Sequence, residues 1–276
     1  MIQLEQSLGR NEEMSKKIMF FDIDGTIMTE DTKEVPKSTI EAIKEARKKG
    51  HLTFINTGRT YFNLEKEIKE IGFDGYVCGC GTYVNANGHV ITHVTLSIEE
   101  CKKIIDLLRK HKMDAALEGI EDVYFDSYFH NKEMEQLKNH FVGRKYAIEK
   151  NWDTHGLLFD KLFTKASDET DIDQFVQELG DNYDYIDRGN RFGEIVPKGY
   201  SKATGIKRLL EHYDLTVNDA YVFGDSSNDL AMFEFVPNSV AMGKSDDCIY
   251  EKAAFITKDI KEDGIYYAMK HLGIIE

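Results

Sequence analysis

Apolar runs that stop on polar punctuation recur along this 276-residue chain. Residues 16–27 read KKIMFFDIDGTI, in which Ile18, Met19, Phe20, Phe21 and Ile23 form a nearly unbroken apolar stretch between two lysines and a Gly25-Thr26 turn. A run apolar on both alternating faces predicts a central parallel strand covered from two sides. Residues 51–59 (HLTFINTGR) repeat the pattern, apolar through Ile55, and so do residues 220–230 (AYVFGDSSNDL), apolar through Phe223. Between the first two runs, residues 38–50 (STIEAIKEARKKG) predict a helix with Ser38 as N-cap, Glu41 completing a capping box and Gly50 ending it. Further helices are predicted over 61–71 and from Lys202, where Ile206, Leu209, Leu210 and Tyr213 keep helical spacing, and a short strand over 74–80. Strand and helix in alternation predict an α/β fold, a doubly wound Rossmann-like parallel sheet.

From about residue 82 the pattern changes. Residues 83–91 predict a hairpin turning at Asn87-Gly88, followed by a helix over 97–111 opened by a second box, Ser97 to Glu100. Strand-like runs at 123–125, 161–164 and 183–196, the last turning at Gly189-Asn190, surround a helix over 171–179. Pro197-Lys198-Gly199 then marks the return to the first pattern. The expected organisation is a core domain over 16–82 and 197–276, with an inserted α+β cap over 83–196. Residues 1–15 are expected to be a disordered leader or alternative start, since they show no periodicity ahead of Met14 and the first strand.

The strand ends are where open α/β sheets place their chemistry, and here they carry Asp22, Asp24, Thr57, Asp225, Asn228 and Asp229. A carboxylate such as Asp22 can act as a nucleophile toward phosphorus, dividing one hydrolysis into two displacements. Asp24, two residues on, can protonate the leaving oxygen and then activate water, provided its environment differs from that of Asp22. Asp22, Asp225 and the Asp24 backbone carbonyl make an oxygen-rich set suited to octahedral Mg2+. Lys202, Thr57, Gly58 and the amides from Gly25 onward can hold phosphoryl oxygens. Asn228 and Asp229 can complete or orient the metal shell, although Asp229 also reads as an acid complementing a helix start. Lys198 competes with Lys202 for the cationic role.

In this order the motifs resemble those of the haloacid dehalogenase-like phosphohydrolases, and within them the Cof-like branch with a large type IIB cap after the second motif. Asp22-Ile23-Asp24-Gly25-Thr26 is similar to motif I, Thr57 in Asn-Thr-Gly-Arg to motif II, Lys202 to motif III, and Gly224-Asp225-Ser226-Ser227-Asn228-Asp229 to motif IV. The resemblance covers nearly everything after Ser15, and it favours Lys202 over Lys198. The closing stretch VAMGKSDDCIYEKAAFITKDIKEDGI also fits, except that Lys244 stands where the family pattern has Asn. What the resemblance implies is Mg2+-dependent hydrolysis of phosphate monoesters of small metabolites, sugar phosphates or phosphorylated cofactors, through an aspartyl-phosphate. Phosphotransfer to a second sugar, as in a mutase, ranks below hydrolysis because the large cap resembles phosphatases. A silent binding protein on the same fold would be marked by loss of Asp22, Asp24, Lys202 or Asp225, and none is lost. A dinucleotide-binding oxidoreductase is excluded, because Gly79-Cys80-Gly81 is followed by Val84 where a third glycine would stand.

Charge and composition narrow the partners. The formal charge of -14, from 35 Lys and Arg against 49 Asp and Glu, with no basic patch interleaved with aromatics, argues against nucleic acid. No run of 18 apolar residues exists and the N-terminus lacks a hydrophobic signal region, which argues against a membrane and predicts a cytoplasmic protein. Cys78, Cys80, Cys101 and Cys248 lack zinc-site spacing and read as reduced structural thiols. His89 and His93 share a strand face without a visible third ligand and read as sheet histidines. An insert between Thr57 and Lys202 would lie over the acidic strand ends, so substrate choice is expected there, with Glu118, Tyr124, His155 and Arg191 as candidate contacts.

Overall fold

In the computed structural model, which describes residues 16–143 and 150–276, the first apolar run is strand β1 (Ile18–Phe21), all four side chains fully buried. The expected leader lies outside the described residues. The other strands among them are β2 (Leu52–Asn56), β3 (Gly75–Cys78), β4 (Tyr83–Ala86), β5 (His89–His93), β6 (Met113–Glu118), β7 (Val123–Tyr124), β8 (Lys161–Ala166), β9 (Tyr183–Gly189), β10 (Phe192–Pro197), β11 (Ala220–Gly224), β12 (Asn238–Ala241) and β13 (Phe255–Ile256). The helices are α1 (Lys37–Lys48), α2 (Lys66–Glu70), α3 (Ile98–Lys110), α4 (Lys132–Gly143), α5 (Ile172–Leu179), α6 (Lys202–Tyr213), α7 (Leu230–Phe235), α8 (Asp247–Tyr250) and α9 (Gly264–His271).

The strands form two sheets. The larger has the order β13-β12-β11-β1-β2-β3-β4-β5, with β1 held in parallel between β11 and β2. Successive side chains of a strand point to opposite faces, so Met19 and Phe21 join one apolar cluster with Ile43, Ala46 and Met269, while Ile18 and Phe20 join another with Ile206 and Leu209. That two-sided burial is why β1 reads as one continuous apolar run. The smaller sheet is antiparallel, in the order β7-β6-β8-β10-β9. One face packs on α3 and α5. The opposite face carries Ala116 and Phe163, covered by Met134 and Phe141 of α4, and beyond them Glu118, Lys161 and Glu194. Among the described residues no helix is long and apolar enough to cross a membrane.

Local expectations fare unevenly. The box at Ser97 and Glu100 forms, both of its hydrogen bonds made. The one at Ser38 does not: Pro36, with φ fixed near its required value, sits at the N-cap, α1 starts at Lys37, and the Ser38 hydroxyl donates to Asp263 Oδ1 at 2.6 Å. The helix expected over 61–71 is broken into a single 3-10 turn (Tyr61–Asn63) and α2, because Leu64 passes in extended conformation to bury its side chain. The hairpin expected to open the insert belongs instead to the large sheet. A tight turn with Gly79, Cys80 and Gly81 all at positive φ sends β4 back antiparallel along β3. The smaller sheet begins only at β6, an element the pattern does not predict, as it does not predict α4.

Candidate active site

Asp22 follows β1, Thr57 follows β2, Asp225 follows β11, and Lys202 opens α6 behind a Ser201 N-cap. The parallel register delivers the first three to one edge of the sheet, and the start of α6 brings Lys202 to the same edge. Lys202 is buried, and its ammonium donates to Asp22 Oδ1 at 2.7 Å and to Asp229 Oδ1 at 2.5 Å. Asp229 has no exposed surface, and its other oxygen accepts the backbone N–H groups of Asp225 (2.9 Å) and Ser226 (3.2 Å). Asp225 Oδ1 accepts the Thr26 hydroxyl at 2.7 Å. Gly25 turns the chain at φ +80°, and a Cβ there would lie 2.3 Å from Asp225 Oδ2, so only glycine lets the loop approach this closely.

Three carboxylates, Asp22, Asp225 and Asp229, thus hold oxygens within 4.8 Å of one another around a single ammonium. Burial pushes Asp22 up to about 7 against the pull of Lys202, with Asp229 adding repulsion. Burial, then Asp22 and Asp229, pushes Asp225 up to about 8. Two acids that resist ionising beside an oxygen-only donor set are the surroundings that a hard divalent cation fits. Asp229 is committed to Lys202 and two amides, which leaves Asp22 and Asp225 as the acids with oxygens to offer. The Asp24 carbonyl receives no protein donor among the described residues. Asn228 accepts the Ser226 hydroxyl at 2.9 Å and ties the loop around Asp225.

The Asp24 side chain points elsewhere. Arg59 grips it with two hydrogen bonds, Nη2 to Oδ1 at 2.6 Å and Nε to Oδ2 at 2.8 Å, and Lys33 stands 3.3 Å away. Burial would raise this carboxyl, but the Arg59 charge and hydrogen bonds, with Lys33, hold it below the usual range. Arg59 is a site residue to which the sequence alone assigns no role; its position two residues after Thr57, at the end of a strand neighbouring β1, was the available signal. Thr57 is buried, donates its N–H to Val77 O at 2.9 Å and accepts the Arg59 N–H on Oγ1 at 3.2 Å. Lys198 is exposed and stands apart from these groups, so the geometry agrees with Lys202 as the cation.

The four candidate substrate contacts occupy packing or surface positions. Glu118 is buried against Lys161, Tyr124 packs in the smaller sheet's apolar cluster, Arg191 donates to the Ser167 and Thr170 carbonyls, and His155 is exposed. His89 and His93 are both exposed, and His93 is held by Asp160 at 3.0 Å. The four cysteines are free thiols.

Comparison with known proteins points the same way. Residues 19–269 match the family model described as haloacid dehalogenase-like hydrolase. The chain is similar to YkrA of Bacillus subtilis (strain 168), 30% identical over 95% of this chain and 100% of the relative. It is also similar to the 5-amino-6-(5-phospho-D-ribitylamino)uracil phosphatase YitU of the same organism, 24% identical over 92% of this chain and 96% of the relative. Among solved structures, the HAD subclass IIB sugar phosphatase BT4131 superposes with a TM-score of 0.79 at 26% identity, covering 94% of this chain and 100% of that one.

Proposed function

This chain belongs to the haloacid dehalogenase-like hydrolases and is a phosphoric monoester hydrolase of that family, and from that premise we propose that it works through an aspartyl-phosphate on Asp22 with Mg2+ bound. The observation that carries the reading is the state of Asp22: buried at the end of the central strand, one oxygen fixed by Lys202, the other without a protein donor among the described residues, beside an Asp225 that forms no ion pair among them. Asp22, Asp225 and the Asp24 carbonyl would hold the ion, with Asp229 and Asn228 orienting that shell. When bound, Mg2+ supplies the positive charge that lets an anionic phosphoryl group approach two ionised aspartates.

The chain's own groups account for the rest. The free Asp22 oxygen forms a bond to phosphorus as the ester P–O bond breaks, and Asp24 gives the leaving oxygen its proton. Asp24 then takes a proton from water, whose oxygen bonds to phosphorus as the bond to Asp22 breaks, releasing phosphate. Lys202, the Thr57 hydroxyl and the Gly25 and Gly58 amides hold phosphoryl oxygens through both steps. Because Arg59 keeps Asp24 ionised, the arrangement described is that of a base awaiting water; loosening that grip gives the acid.

A small phosphorylated metabolite is the proposed substrate, in keeping with relatives named for a sugar phosphate and a phosphorylated ribitylaminouracil, and the cytoplasm the proposed location. The test is phosphate release from p-nitrophenyl phosphate and a panel of phosphorylated metabolites, with Mg2+ and with chelator. The expected result is metal-dependent turnover that Asp22→Asn abolishes. Turnover unaffected by that substitution would remove Asp22 as nucleophile, and no turnover on any substrate would leave a silent binding role.

A further inference from the structure

The second buried lysine, Lys161, reaches out of the smaller sheet to touch the loop after β2. Its side chain is 1% exposed, and its ammonium meets Glu194 Oε1 at 2.9 Å, Glu118 Oε2 at 3.0 Å and the Gly58 carbonyl at 2.9 Å. Of these three partners the ammonium hydrogen-bonds Glu194 and the Gly58 carbonyl, and it holds Glu118 by charge alone. Two of these are carboxylates of its own sheet; the third lies 103 residues away.

That third contact bears on the phosphate loop. Three consecutive carbonyls there are held from outside: Thr57 O by the Cys80 N–H (3.2 Å), Arg59 O by the Gly79 N–H (2.8 Å), and Gly58 O by Lys161. In a trans peptide the C=O and the following N–H point opposite ways, so fixing the Gly58 carbonyl aims the Arg59 N–H. It lands on Thr57 Oγ1 at 3.2 Å. A hydroxyl that accepts there must send its own proton elsewhere, and the Gly58 N–H likewise donates to no protein acceptor among the described residues. Gly58 sits tightly against this group, since a Cβ there would lie 3.1 Å from Glu194 Oε1 and press on it.

We propose that Lys161 is a positioning residue for phosphate binding: from the smaller sheet it fixes the Gly58–Arg59 peptide, and through it the direction in which Thr57 donates its proton. The inference rests on the phosphatase reading and adds to it a residue that touches neither phosphate nor metal.

The test compares wild type with Lys161→Met/Glu118→Gln, which removes one charge of each sign and keeps the buried group balanced, with Thr57 intact and in a Thr57→Ala background. Inorganic phosphate serves as inhibitor, with p-nitrophenyl phosphate and a sugar phosphate as substrates. With Thr57 present, inhibition should weaken about tenfold, the value of one well-aimed hydrogen bond, and KM for both substrates should rise by the same factor. In the Thr57→Ala background, the same pair of changes should alter inhibition by less than about twofold, because coupled residues are not additive. Lys161→Gln/Glu118→Gln, which retains an N–H for Gly58, should recover most of the loss. Equal losses in both backgrounds, unchanged phosphate inhibition, a loss confined to the sugar phosphate, or failure of both paired variants to fold would overturn the proposal. Absence of turnover in wild type would instead overturn the functional reading, and this inference with it.

Discussion

Lys202 and Lys161 are buried to the same degree and each lies between two carboxylates, yet their surroundings tend in opposite directions. Around Lys202 a third acid, Asp225, accepts a single side-chain hydrogen bond among the described residues, from the Thr26 hydroxyl, and Asp22 and Asp225 are both pushed well above the ordinary carboxylate range. Around Lys161 two carboxylates stand against two cations, Lys161 and Arg188, although burial still raises Glu118. Burial raises Glu194, but Lys161 and Arg188 more than offset it and hold its carboxyl below the usual range. In the first group both Asp22 and Asp225 are raised and Asp225 is a surplus acid; in the second, cations match the acids in number and only Glu118 is raised. What separates a reacting site from a tie is therefore the surplus acid, not the buried lysine that both possess.

The contrast is sharpest at the acids. Asp22→Asn should lower phosphate release by about 10⁴-fold or more, the scale seen when a nucleophile is removed, while the thermal midpoint stays level or rises because a crowded charge is gone. Glu194→Gln should do the reverse, keeping most of the turnover and lowering the midpoint. Turnover assays beside thermal melts of both variants check this, and matching activity losses would erase the distinction.

At the lysines, substitution by Met should cost stability at both positions, about 3–5 kcal/mol each, since either change leaves buried carboxylates unpaired. Urea titration measures that cost. Activity of folded protein should then part the two, vanishing for Lys202→Met and falling only about tenfold where Lys161 and Glu118 are changed together.

A third outcome concerns pH. An acid whose folded pKa is raised contributes stability that is fully present below its unfolded pKa and is lost as pH rises through the folded value. With Asp22 near 7 and Asp225 near 8, metal-free protein should lose stability between about pH 4 and pH 8, and Mg2+ should raise the melting midpoint more at pH 8 than at pH 5. A midpoint that climbs over that range without metal would contradict the account of surplus charge.

The smallest effect is expected at Arg59. Replacing it by Met removes the main influence lowering Asp24 and leaves burial to raise that carboxyl. A carbon-13 titration of Asp24 should then move to higher pH; no movement would remove Arg59 as the group that keeps Asp24 ionised.

Much of the large sheet and of the acidic cluster was legible because the signals are local. An apolar run that stops on Asp22 or Asp225 marks both a strand and its functional end, and the Ser97–Glu100 box is written within four residues. The misses are non-local or competitive. Ser38 lost its cap to Pro36 two positions earlier, and a helix over 61–71 yielded to the burial of Leu64. Strand β6 hides because Asp114 and Glu118 are buried with its apolar residues, the first satisfied by the His130 and Asn131 amides and the second paired in charge with Lys161. The grip of Arg59 on Asp24 spans 35 residues. Nothing near Lys161 in sequence announces acceptors at positions 58, 118 and 194.

The pairing of β1 with β11, Ile18 against Ala220, has a consequence for a chain still being made. One side of the central strand has no neighbour until some two hundred further residues have been added, while every strand of the smaller sheet is complete by Pro197. The smaller sheet can therefore close during synthesis, as contiguous units do. The larger must hold an exposed hydrophobic edge open until the last quarter of the chain arrives, and long-range parallel pairing is slow to form. Agents that bind exposed strands should thus find this protein vulnerable during its own birth, and indifferent to them once Asp225 has met Asp22.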